Sequence, residues 1–148
     1  MDDLLFTADH VLSRITPHQS PAAITPFCGL ELYLQSLDKG ARARGHPRLL
    51  PGHEAPIEDL DGRIAGIVGH HQRRLSQVLD ICHEPLPLVE VSKRSSAPGR
   101  AIRASWRSRR TGAHVEYLFQ RGELRIANLE DVTRETNPVI RYEARRGA

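Results

Sequence analysis

Leu49-Leu50-Pro51-Gly52-His53-Glu54 is the stretch from which the fold is read. Two leucines run into a Pro-Gly break, and a histidine follows at once. The pattern predicts a short buried strand that stops abruptly and delivers an imidazole to its C-terminal rim. Pro51 fixes φ and removes a backbone donor, so the ladder ends there. Gly52 permits whatever φ the turn requires. A histidine held in this way can be a metal ligand, a general base or a polar residue at a loop tip.

Upstream, Leu4-Leu5-Phe6-Thr7-Ala8-Asp9-His10-Val11-Leu12 is a second apolar run that ends at ionisable residues. Leu4 to Thr7 is too short for a helix and is predicted to be a buried strand. Asp9 is then expected near the same rim as His53. Val11 to Pro26 carries Pro17, Pro21 and Pro26 among polar residues, the composition of a loop running over the surface. Such loops beside a strand rim often contact substrate. His10 and His18 are the candidates for that contact, with an exposed loop histidine the simpler reading of His18.

Gly29 to Arg44 reads as an amphipathic helix, because Leu30, Tyr33, Leu34, Leu37 and Ala41 recur on one face. Gly45-His46-Pro47 ends it, and Arg48-Leu49-Leu50 resumes as a strand. Strand, helix and strand in that order make half of a layered α/β arrangement. Ile64 to Cys82 is a second helix, with Ile64, Ile67, Val68, His71, Leu75, Val78, Leu79 and Cys82 along one side. Asp59 or Asp61 caps its start. His71 falls on the apolar stripe, which reads as a hydrogen-bonded core histidine, and Gln72-Arg73-Arg74 reads as a solvated face.

His83 to Leu88, with Pro85 and Pro87, reads as a hinge and sets a domain boundary between residues 1–82 and 83–148. Leu88 to Ser92 is a short helix, followed by a loop over Ser95 to Gly99. Val115, Leu118 and Phe119 give a further helical face stopped at Gly122. Leu124 to Ile126 and Val139 to Tyr142 are expected to pair as a two-stranded wing.

Charge divides the chain at the same place. Residues 1–82 hold 8 Lys+Arg against 10 Asp+Glu, and residues 83–148 hold 13 against 8, which gives the overall +3 of the 148 residues. An acidic front and a basic back suit two units with different tasks. No window approaches 18 uninterrupted apolar residues, so no membrane partner is expected. The acidic start, Met1-Asp2-Asp3, argues against a secretory signal and for a cytoplasmic location. Cys28 and Cys82 fit no close-spaced metal or redox motif and are expected as buried thiols rather than a disulfide.

Taken together, "LLFTADHVLSRITPHQSP", "LLPGHEAPIEDLDGRI" and "HHQRRLSQVLDIC" resemble the C-terminal half of metallo-β-lactamase-superfamily hydrolases. The branch most alike ends in a small winged-helix-like domain, matched by His114-Val115-Glu116-Tyr117-Leu118 before Arg121-Gly122-Glu123-Leu124. The resemblance implies an α/β fold, the C-terminal part of an αββα sandwich, followed by a small, mainly helical winged-helix-like domain. It further implies a two-zinc hydrolase site in which Asp9 corresponds to the bridging aspartate and His53 to the last histidine. Ala8 stands where members of that family commonly have glycine.

The family's His-x-His-x-Asp-His motif is missing, and the chain contains no His-x-His at all. A catalytic zinc site takes three protein ligands and an open position, and Asp9 and His53 make two. Two zinc ions are therefore expected only with a complementing N-terminal half, whether as a separate partner or through another assembly such as a homo-oligomer. The chain alone reads as an inactive portion of a hydrolase of esters, thioesters, lactams or phosphodiesters, truncated or degenerate, so that its standing as an enzyme is open. Its first half is expected to be poorly folded without the missing strands. The alternative is a nucleic-acid-binding module, in which Arg100, Arg103, Arg107, Arg109 and Arg110 cluster around Trp106. Against it stands the plainer reading of those arginines as a solvated face and of Trp106 as core.

Overall fold

A computed structural model describes residues 4–26, 28–40, 48–96 and 104–145. His46, Arg100 and Arg103 lie outside the described residues, as does the stretch from 41 to 44 at the end of the first predicted helix. The chain divides into two compact units, Met1–His18 with Glu31–Gln72, and Gln19–Leu30 with Arg73–Ala148.

In the front unit, β1 (Leu4–Ala8) and β2 (Arg48–Pro51) pair in parallel, Leu4 opposite Arg48 and Phe6 opposite Leu50. Parallel neighbours need a crossover, and the connection carries α1 (Leu30–Gly40). The apolar face of α1 is real, with Leu30, Tyr33 and Leu37 all buried. The chain after β2 folds back, and Ile57 N–H donates to the Leu49 carbonyl at 2.9 Å. Leu49 and Ile57 are buried. β1 is not the buried strand that its composition predicts. Its side chains alternate, leaving Leu4, Phe6 and Ala8 exposed, and Phe6 is 72% accessible. β2 is its only neighbour among the described residues. Val11 and Leu12 correct the opposite error, being buried although they open a stretch expected on the surface.

α2 runs from Leu60 to Ile81, one turn earlier than the apolar stripe alone indicates. The difference lies in the cap: Asp59 Oδ1 accepts from Gly62 N–H at 2.9 Å, and the Asp59 carbonyl accepts from Arg63 N–H. Ile67, His71, Val78 and Cys82 are buried along the stripe.

The back unit is built on a three-stranded antiparallel sheet in the order β3 (Leu86–Pro87), β5 (Arg141–Ala144), β4 (Leu124–Ile126). Two helices, α3 (Leu88–Arg94) and α4 (Ala104–Gln120), precede β4, and α5 (Leu129–Arg134) precedes β5. Leu124 opposes Ala144 and Ile126 opposes Tyr142, so the expected strand pair exists, but its second strand starts at Arg141 and leaves Val139 exposed. The expected hinge is also revised. Pro87 lacks an N–H but serves on the outer strand β3, opposite Arg141, and Leu86 is core. The core comprises Val78, Cys82, Leu86, Val91, Val115, Leu118 and Leu124.

The run from His114 to Leu124 has structural work throughout this unit. His114 is buried, with Nδ1 2.8 Å from the Arg110 carbonyl. The Glu116 carboxylate accepts from the Ala22 and Ala23 N–H groups at 2.7 and 3.2 Å. Arg121 lies over the Tyr117 ring. Gly122 adopts φ +75°, and the Gly122 and Glu123 N–H groups return to the Phe119 and Leu118 carbonyls. That is a left-handed helix stop, which favours glycine. Cys28 and Cys82 are both free; Cys82 is buried, its thiol pushed up to about 11 by burial, but Cys28 is exposed rather than buried.

Candidate functional site

Parallel pairing puts the C-terminal ends of β1 and β2 side by side, which is the edge where ligands collect in parallel sheets. Asp9 follows β1 directly, and His53 follows β2 after Gly52. Their side chains meet at that edge, with Asp9 Oδ1 3.6 Å from His53 Nε2 and both 71% exposed. This separation is too long for a hydrogen bond. Two donors on one tetrahedral zinc, at bond lengths near 2.1 Å, stand about 3.4 Å apart. The pair therefore fits a zinc ion in donor type and spacing. It does not complete the site, because among the described residues no three His, Cys, Asp or Glu side chains gather to hold a metal.

Two backbone details bring the pair together. The ladder is irregular between Phe6 and Ala8, and Ala8 adopts φ +45°. Gly52 N–H donates to the Ala8 carbonyl at 2.9 Å, which closes the ladder one residue beyond Pro51. Glycine at 52 is required for close approach rather than for an unusual φ, since a Cβ there would stand 2.9 Å from Asp9 Oδ1. Gly52→Ala is accordingly expected to swing the Asp9 carboxylate away and weaken metal binding at least tenfold, with the fold retained by circular dichroism. Ala8→Gly is expected to act in the opposite sense. Relief of a left-handed alanine, about 1–2 kcal/mol, outweighs the added freedom of the unfolded chain, about 0.4–1 kcal/mol. A gain of about 1 kcal/mol in denaturant unfolding is expected from that difference.

The segment after Asp9 has no regular structure, yet side chains satisfy much of its backbone. Thr7 Oγ1 donates to the Val11 carbonyl at 2.8 Å, and Tyr33 Oη donates to the His10 carbonyl at 3.0 Å. Glu54 accepts from Arg14 N–H at 2.8 Å, Ile15 N–H at 3.3 Å and Ser13 Oγ at 3.3 Å. Arg63 donates to the carbonyls of Leu12, Arg14 and Ile15. A carboxylate thus takes the amides of residues 14 and 15 while a guanidinium takes the carbonyls of 12, 14 and 15. The hydrogen bonds from Arg14, Ile15 and Ser13 hold the Glu54 carboxyl below the usual carboxylate range. Glu54 sits at φ +75°, a strained conformation for a non-glycine residue, immediately beside His53.

The expected substrate-side histidines separate. His10 stands edge-on to Tyr33 at 5.6 Å between ring centroids, next to the Asp9–His53 pair in sequence, whereas His18 is exposed at the far end of the segment. Tyr33 also meets the buried His71 edge-on at 5.8 Å, and burial pushes its phenol up to about 12 against the opposing charge of Arg63. In the back unit Trp106 is 54% exposed, which removes the reading of it as core. Arg74 is half-buried, not part of a solvated face, and Arg107 and Arg110 are half-buried while Arg109 is exposed. The sequence reading missed Glu54, Arg63 and Tyr33. One sign was available for Arg63: a cation in the first turns of a helix opposes the dipole, and such a residue calls for another partner.

No family model matches the chain, and no curated protein does. Solved structures do. A metallo-β-lactamase family protein from Thermus thermophilus superposes with a TM-score of 0.78 and 28% identity, over 97% of this chain and 42% of its own. A β-lactamase domain protein from Burkholderia ambifaria gives 0.77 and 27% over the same shares. The chain spans about two fifths of the length of these relatives. Among the described residues no helix is long and apolar enough to cross a membrane. A mixed α/β chain that superposes on these proteins over nearly its whole length is related to the metallo-β-lactamase superfamily.

Proposed function

We propose that the chain supplies one corner of a zinc centre, Asp9 and His53, to a metallo-β-lactamase-type hydrolase whose remaining donors lie outside these 148 residues. The observation that carries this reading is the 3.6 Å approach of Asp9 Oδ1 and His53 Nε2 at the shared end of two parallel strands. Zinc in such a site polarises the scissile group and acidifies a water. Asp9 and His53 hold and orient the ion, and the latched segment Leu12–Ile15 forms the adjoining wall, with His10 two residues ahead of it. The exposed Leu4 and Phe6 on β1 suit contact with further strands, supplied by a longer polypeptide or a companion chain. The reaction class is hydrolysis of an ester, thioester, lactam or phosphodiester. The back unit is proposed to be winged-helix-like, supported by α3, α4 and the β3-β5-β4 sheet order.

The test is calorimetric zinc titration of this chain, alone and mixed with a polypeptide bearing a His-x-His-x-Asp-His segment. Weak binding by the chain, tightened by the partner and accompanied by hydrolysis of a p-nitrophenyl ester or bis-p-nitrophenyl phosphate, is the expected result. Tight stoichiometric zinc in the lone chain would show that the donors are complete without a partner.

A further inference from the structure

Both donors of the proposed zinc corner are exposed, and at 3.6 Å the imidazole and the carboxylate do not hold each other by a hydrogen bond. Neither packing nor pairing therefore sets the direction of His53, and the task falls to the backbone on either side. Among the described residues, the non-glycine residues with positive φ are Ala8 at +45° and Glu54 at +75°. Each abuts a donor: Ala8 precedes Asp9, and Glu54 follows His53. A left-handed residue that carries a side chain is strained, and it persists only where its surroundings hold it.

Upstream of His53 the hold is made by backbone. Gly52 N–H donates to the Ala8 carbonyl at 2.9 Å, which ties the approach to His53 to the residue before Asp9. Downstream the hold is made by a side chain. One oxygen of Glu54, Oε2, accepts from Arg14 N–H at 2.8 Å and from Ile15 N–H and Ser13 Oγ at 3.3 Å each. Hydrogen bonds to a carboxylate are charge-assisted and stronger than neutral ones. The two amides form a fixed seat because Arg63, in the first turn of α2, takes the carbonyls of Leu12, Arg14 and Ile15.

We propose that Glu54 is a positioning residue for His53: seated on the Arg14 and Ile15 amides, it holds the left-handed turn that keeps the imidazole facing Asp9. The inference rests on the reading of Asp9 and His53 as zinc donors, and adds a residue that acts through one of them. What matters in Glu54 is its reach to the two amides rather than its charge.

The test is NMR of the full chain, wild type beside Glu54→Ala, Glu54→Asp and Glu54→Gln. Without metal, a nuclear Overhauser contact between the His53 ring protons and the Asp9 β protons reads the pairing. It should survive in Glu54→Gln, whose amide oxygen still reaches the two N–H groups. It should be lost in Glu54→Ala, and equally in Glu54→Asp, which keeps the charge and tolerates a left-handed backbone but is one methylene too short. With zinc, the half-point of the His53 Nε2 response should rise about tenfold in Glu54→Ala and Glu54→Asp, the scale typical of a residue that orients a metal ligand. Glu54→Gln should recover most of that loss. A wild-type contact in Glu54→Ala or Glu54→Asp, or a loss in Glu54→Gln as large as in Glu54→Ala, would overturn the proposal. Should zinc leave His53 unmoved in the wild-type chain, the zinc reading fails, and the metal-free contacts still decide the role of Glu54.

Discussion

Arg63→Ala releases the segment from Leu12 to Ile15 and destabilises the front unit by about 2–4 kcal/mol, the largest effect expected there. One guanidinium serves three carbonyls on that segment. Hydrogen bonds to charged groups contribute about 1.5–3 kcal/mol each, discounted here because Arg63 is half-buried and part of the network is exposed. Arg63→Lys recovers little, since three donors on a single nitrogen lack the planar spread by which Nε and Nη2 reach separate carbonyls. Denaturant unfolding followed by a front-unit probe gives the stability, and amide exchange at Arg14 and Ile15 gives the local release. Glu54 provides the pH dependence. Its carboxyl is held below its unfolded value, so its contribution is present above that value and is lost as pH falls through the depressed one. Exchange at Arg14 and Ile15, corrected for the intrinsic rate, should accelerate only on acidification below the ordinary glutamate range. In Glu54→Gln this acid step should vanish.

Leu118→Ala is expected to cost the back unit about 3–4 kcal/mol. Leu118 is almost fully buried within a cluster that includes Val78, Val91, Val115 and Leu124. Removing a leucine from such a site loses transfer energy and leaves a cavity, about 2–5 kcal/mol in all. The Leu118 carbonyl also accepts from Glu123 N–H at the helix stop, which constrains how far the backbone can relax into the space. Val139→Ala gives the contrast, because Val139 is exposed just ahead of β5 and should cost less than about 0.5 kcal/mol. Comparable losses in the two variants would contradict the assignment of this core.

Periodicity made the helices legible. Leu30, Tyr33 and Leu37 on α1, and Ile67, His71 and Val78 on α2 with Cys82 just past its end, are buried where their spacing puts them. Composition could also mark Asp9 and His53 as strand-end residues, since an apolar run before an ionisable residue says where a strand stops. It could not show that β1 is half exposed, because a short run of apolar or small residues reads alike whether one face or two are covered. Pro87 was misread for a similar reason: a proline suits a hinge and an outer strand equally. The latch formed by Glu54 and Arg63 was invisible because each binds backbone 40 and 51 residues away in sequence, and backbone partners leave no trace in residue identity. Gly52 was recognised as necessary, but for conformational freedom rather than for the room it gives Asp9.

The proposed zinc centre makes Asp9 and His53 two donors to one metal ion. The most direct measurement is NMR of the His53 ring nitrogens during zinc titration of the chain, beside Asp9→Ala. A zinc-dependent shift at His53 Nε2, with the other histidines unmoved and the response lost in Asp9→Ala, is what the 3.6 Å pairing predicts. An unchanged His53 resonance at millimolar zinc, or an equal shift when Asp9 is absent, would contradict it.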